Sequence, residues 1–104
     1  MFTINDYFDG KVKSISFKDE KSEATLGVMA KGVYEFKTSK KEVMTVISGK
    51  LNVQLPGCES WKEFERYDSF TINADSTFKV KTIGESSYIC RYYEPNCNCN
   101  CNCT

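Results

Sequence analysis

"KGVYEFKTSKKEVMTVISGKLNVQLPG", residues 31–57, is the stretch on which the fold turns. In "GVYEFKT", Val33 and Glu35 fall on one face and Tyr34, Phe36 and Thr38 on the other, the period of two that an extended chain imposes. "EVMTVI" is almost wholly apolar, as a strand buried on both sides would be. "LNVQL" alternates cleanly, with Leu51, Val53 and Leu55 inward and Asn52 and Gln54 outward. Ser48-Gly49-Lys50 between these runs reads as a tight turn, and Pro56-Gly57 closes the segment. Folded as a hairpin about Gly49, the inward row of Leu51, Val53 and Leu55 would face Glu42, Met44 and Val46. A carboxylate then begins an otherwise apolar row.

The same period runs outward in both directions. "VKSISF" (12–17) sets Val12, Ser14 and Ser16 against Lys13, Ile15 and Phe17, and "ATLGVMA" (24–30) is an apolar run interrupted by Gly27. "SFTIN" (69–73), "TFKVKTI" (77–83) and "SSYICRYY" (86–93) are rich in β-branched and aromatic residues. Only "NDYF" (5–8) and "SWKEFERY" (60–67) are candidates for a helical turn. About eight or more short antiparallel strands with tight turns predict an all-β fold, a small β-barrel or jelly roll. Residues 1–94 form the expected domain. The Asn-Cys repeat of 95–104, with Cys97, Cys99, Cys101 and Cys103, reads as a low-complexity tail with some capacity for zinc or Cu(I).

Composition narrows the chemistry. The 104 residues carry 14 basic and 14 acidic side chains, so nothing points to capture of a nucleic acid polymer or an anionic membrane. The N-terminus lacks a basic region followed by an apolar run, and no stretch is long and apolar enough to span a bilayer, so a cytoplasmic protein is expected. There is no histidine, which removes the usual general base, the serine and cysteine triads and His-ligated metal sites; no metal centre is expected. Catalysis would rest on carboxylates, hydroxyls, lysine, arginine and backbone dipoles.

Glu42 and Gly49 have the E-x6-G spacing of the first cupin motif, but "FKTSKK" stands where a metal cupin carries histidines. Taken together, "DYFDGKVKSISF" (6–17), "LGVMAKGVYEFKT" (26–38), "EVMTVISGKLNVQLPG" (42–57), Trp61 and "SYICRY" (87–92) resemble the small cupin-type pyrimidine/purine nucleoside phosphorylases of bacteria. "RYDSFTINAD" (66–75) departs from that pattern, lacking its glycine and Pro-Gly. The resemblance implies a single-domain cupin β-barrel that forms a homodimer. It also implies phosphorolysis of diverse purine and pyrimidine ribonucleosides, with no cofactor and with inorganic phosphate as co-substrate.

Such a reaction needs a cationic or N–H grip on phosphate, groups that hold the ribose as charge develops, and a donor for the departing base. Glu42 is the candidate for sugar or base, acting as an acid if burial raises its pKa. Arg91 is the candidate phosphate ligand, although Tyr88, Cys90 and Tyr92 share one strand face and Ile89 and Arg91 the other. Thr38 and Lys40 are alternative phosphate donors. Tyr34, Phe36, Met44 and Tyr92 are candidate substrate contacts, with Phe78 and Tyr88 further lumen aromatics, and Cys90 reads as a small buried hydrophobe. A non-catalytic, metal-free cupin binding a sugar or nucleoside, and a thiolate metal binder built on the tail, remain the alternatives.

Overall fold

The computed structural model describes residues 2–93. The tail cysteines lie outside the described residues. Ten strands follow one another: β1 (Thr3–Tyr7), β2 (Val12–Lys18), β3 (Glu23–Met29), β4 (Gly32–Lys37), β5 (Lys41–Ser48), β6 (Leu51–Gln54), β7 (Lys62–Phe64), β8 (Ser69–Ile72), β9 (Thr77–Thr82) and β10 (Ser86–Tyr93). No helix occurs among the described residues. Neither of the two candidates for a helical turn holds helix. "NDYF" lies largely in β1, and "SWKEFERY" contains β7, because ladder partners were available to both.

All pairings are antiparallel, in a six-stranded sheet ordered β1-β2-β3-β10-β5-β8 and a four-stranded sheet ordered β4-β9-β6-β7. The expected hairpin about Gly49 is not formed. β5 pairs with β10 and β8, whereas β6 pairs with β9 and β7, so the turn carries the chain from one sheet to the other. Gly49 has φ +76°, and a Cβ there would overlap the Ser86 hydroxyl; the crossing depends on its bare backbone. Inward parity survives the crossing. Met44, Val46, Leu51 and Val53 are buried together with Val12, Met29, Val80 and Phe78 between the sheets. β5, expected to be covered on both sides, buries one face only, and Ile47 on its other face is exposed.

The β1–β2 connection fixes one end of the sandwich. Phe8 and Asp9 take positive φ of 54° and 56°, the backbone a tight hairpin turn needs but a bulky residue resists. Packing offsets that strain: the Phe8 ring lies 5.0 Å from Tyr34 and 5.5 Å from Phe36. The hairpin is thereby docked on β4, and Tyr7 is carried to the mouth of the internal cavity.

Candidate functional site

Strand register lays the inner face of the large sheet out in rows. One row runs Asn5, Ser14, Gly27, Tyr88, Val46; the next Thr3, Ser16, Thr25, Cys90, Met44, Phe70. The third sets Tyr92 beside Glu42 on neighbouring strands. The side of the sheet toward β1 is therefore hydroxyl-rich and the side toward β8 apolar. β2 accounts for much of this polarity, because it turns Ser14 and Ser16 inward and leaves Ile15 exposed.

A cavity of about 160 Å³ opens between these rows and the β4–β9 pair. Phe36 and Phe78, cross-strand partners stacked with ring centroids 5.5 Å apart and planes inclined by 28°, form one wall. Tyr88, Met44 and Tyr92 form much of the other. Tyr88 reaches across the sheet because Gly27 leaves room: a Cβ at Gly27 would overlap the phenol ring and hydroxyl. Glu42 lines this cavity half-buried, and desolvation raises its pKa above the ordinary carboxylate value, partly opposed by a hydrogen bond that the Cys90 thiol donates to Oε1 at 3.3 Å. Burial, followed by the neighbouring Glu42 charge, pushes the Cys90 thiol far up, so it stays protonated and donates. Burial likewise holds Tyr88 and Tyr92 as neutral phenols. The cavity thus offers an aromatic slot with a carboxyl of raised pKa at its side.

A second, more open groove of about 390 Å³ adjoins the first. Thr25 and Tyr92 line both, their hydroxyls 3.2 Å apart, and form the partition. Across it lie Ser16, Ser39, Lys18 and Lys40, with Lys40 Nζ 2.9 Å from Glu23 Oε1.

A family model described as pyrimidine/purine nucleoside phosphorylase matches residues 2–92. The chain belongs to that family. A pyrimidine/purine nucleoside phosphorylase of Pseudomonas putida is 50% identical over 92 residues, covering 88% of this chain and 98% of the relative. The solved structure of a protein of unknown function from Vibrio parahaemolyticus superposes with a TM-score of 0.86 at 33% identity, over 89% of this chain and 99% of that one. An RmlC-like cupin from Shewanella frigidimarina, at a TM-score of 0.70 and 19% identity over 88% and 83% of the two chains, extends the likeness in fold. The two-sheet architecture is thus that of a cupin. No helix among the described residues is long and apolar enough to cross a membrane.

In this member of the phosphorylase family, Glu42, Phe36, Met44 and Tyr92 converge on the inner cavity, and Lys40 stands at the outer groove. Arg91 does not join them. Strand alternation turns it to the opposite face from Cys90 and Tyr92, where its guanidinium grips both Asp19 carboxylate oxygens at 3.1 and 2.9 Å. Those bonds, with the Lys21 and Ser22 amides, hold Asp19 well below the usual carboxylate range and pin the 18–23 turn. Tyr34 is buried outside the cavity lining, its hydroxyl donating to the Ala30 carbonyl at 2.6 Å.

Thr38 is likewise engaged in structure. Its buried hydroxyl donates to the Asn73 carbonyl at 2.6 Å and accepts the Ser76 amide at 3.0 Å. Thr38→Val should cost about 1–3 kcal/mol of stability by stranding these groups. A urea denaturation curve would measure it, with turnover at a temperature where both proteins are folded staying near the parent value.

Sequence reasoning missed Tyr7, Ser14, Thr25 and Lys37 as cavity residues, and the Cys90 bond to Glu42.

Proposed function

We propose that this protein is a pentosyl-transferring nucleoside phosphorylase of broad base range, cleaving purine and pyrimidine ribonucleosides with inorganic phosphate to free base and ribose 1-phosphate. The supporting observation is Glu42, a carboxyl with raised pKa beside an aromatic cavity, in a chain whose relatives are named for this activity. A cavity near 150 Å³ accommodates one aromatic ring, so the inner chamber suits a pyrimidine or one ring of a purine, the rest of which would lie toward its opening. Phe36, Phe78 and Tyr88 offer ring faces that stack without reading base edges, which suits a broad range.

In the reaction, a phosphate oxygen bonds to C1′ as the C1′–N bond breaks and its electron pair passes to the base. Glu42 gives its proton to that nitrogen. The proton released from hydrogen phosphate as its oxygen becomes an ester returns the carboxylate to its starting state. Tyr92, beside Glu42 and lining both compartments, stands where the sugar joins base to phosphate.

The same reading carries a cytoplasmic homodimer. The outer face of β1–β3 exposes Ile4, Ile15, Leu26 and Val28, an apolar stripe suited to a second copy under a two-fold axis, with Lys13 and Asp6 at its edge. The deciding experiment incubates purified protein with uridine, adenosine and inosine, with and without phosphate, and separates the free bases. Phosphate-dependent release is expected; release from none of them refutes the assignment. A non-catalytic nucleoside binder would instead show saturable binding and no turnover.

A further inference from the structure

The outer groove has features that the base chamber lacks. Asn5, on the inner face of β1, donates its amide hydrogens to Ser16 Oγ at 2.8 Å and to Ser14 Oγ at 3.2 Å. An oxygen that accepts from Asn5 keeps its own O–H to give elsewhere, so the amide turns both serines into donors. Ser14 borders the inner cavity and Ser16 the groove. At the groove, Ser16 is joined by the hydroxyls of Thr3 and Ser39 and by two lysines, Lys18 and Lys40. Hydroxyl donors and ammonium groups gathered here, with Phe17 and Tyr92 as the aromatic residues of the lining, suit a tetrahedral oxyanion.

We propose that this groove, with Ser16 oriented as a donor by Asn5 and with Lys18 and Lys40 beside it, is the subsite for inorganic phosphate and for the 1-phosphate of the sugar product. The assignment rests on the phosphorolytic reading above and places the two reactants on opposite sides of the Thr25–Tyr92 partition. It also replaces Arg91, which faces outward onto Asp19, with cations that border the groove.

Glu23 gives the subsite a second property. Its carboxylate binds Lys40 at 2.9 Å and lines the same groove, and that bond, with Lys18 nearby, lowers its pKa. A carboxylate on the ammonium occupies the place a phosphate oxygen would take, so Glu23 competes with the anion and must swing aside for it. Removing its charge should therefore tighten phosphate binding, opposite in sign to removing Lys40.

Steady-state kinetics at saturating inosine with phosphate varied tests this directly. Lys40→Ala and Asn5→Asp, the latter isosteric but forcing the serines to give their protons to a carboxylate, should each raise KM for phosphate about tenfold. KM for inosine should stay within about twofold in both, and Glu23→Gln should lower KM for phosphate by a few-fold. An active wild type whose KM for phosphate is unmoved by both Lys40→Ala and Asn5→Asp overturns the subsite and leaves the phosphorolytic reading standing. A wild type that releases no base overturns that reading instead. The groove is then judged by calorimetric titration with phosphate alone, where binding lost in Lys40→Ala supports an oxyanion site and no binding by the wild type refutes it. Circular dichroism on each variant separates a lost contact from a lost fold.

Discussion

Glu42→Gln is expected to lower kcat for phosphorolysis by about 10²–10⁴-fold, the usual contribution of a positioned general acid. The amide keeps the shape of the carboxyl and can still hydrogen-bond, but it cannot release a proton to the departing base. The pH profile supplies the sharper signature. A general acid acts in its protonated form, and burial raises the pH at which Glu42 loses that form, so wild-type kcat should fall as pH rises through its pKa. In Glu42→Gln that limb should vanish from the residual rate.

Stability should move the opposite way. A carboxyl with a raised folded-state pKa makes the native protein bind more protons than the unfolded chain between the two pKa values, so its contribution worsens as pH rises through that window. Above it the folded protein carries a partly buried carboxylate, and Glu42→Gln should raise Tm at neutral pH. Well below the unfolded pKa the two proteins should melt together. A variant with normal kcat, or one less stable at pH 7 than at pH 4 relative to wild type, would remove Glu42 from the acid's role. Retention of a destabilising group beside a cavity is what a working acid leads one to expect.

Gly27→Ala should be the most damaging substitution of a single methyl group. The added Cβ would fall within the Tyr88 ring and hydroxyl, and both residues are buried in the middle of a paired strand. Neither backbone can withdraw without breaking ladder bonds, so the phenol must rotate into the cavity. Overpacking of this kind costs about 1–3 kcal/mol, or roughly 4–8 °C in Tm per kcal/mol for a domain of this size. KM for nucleosides should rise as the slot fills. Gly27→Ala combined with Tyr88→Leu should recover much of the lost stability and little of the nucleoside affinity. A Gly27→Ala protein with unchanged Tm would show that Tyr88 has another resting place.

Much of the fold was legible in the sequence. Eight of the ten strands follow from period-two alternation or from apolar runs between turn residues, and the inward row of Tyr34 and Phe36 follows from "GVYEFKT" alone. β1 and β7 were hidden because "NDYF" and "SWKEFERY" have mixed local preferences, and only a partner strand decides between turn and ladder. Glu42 could be assigned to an inner row because parity depends on the chain's own geometry. Its neighbours could not. Cys90 meets Glu42 because β10 lies beside β5, forty-eight residues away in sequence. Alternation separated Arg91 from the tyrosines, but only the sheet order showed that Asp19 would be its partner.

Sequence by itself determined the all-β class, the family and the faces of most strands, since alternation is fixed by local covalent geometry. The tertiary structure decided that Gly49 crosses between sheets, that Ser14 and Ser16 face inward while Ile15 is exposed, and that Asn5, Ser16 and Lys40 gather near Tyr92. Those outcomes depend on which distant strands pair and which face the second sheet covers, and long-range burial settles both.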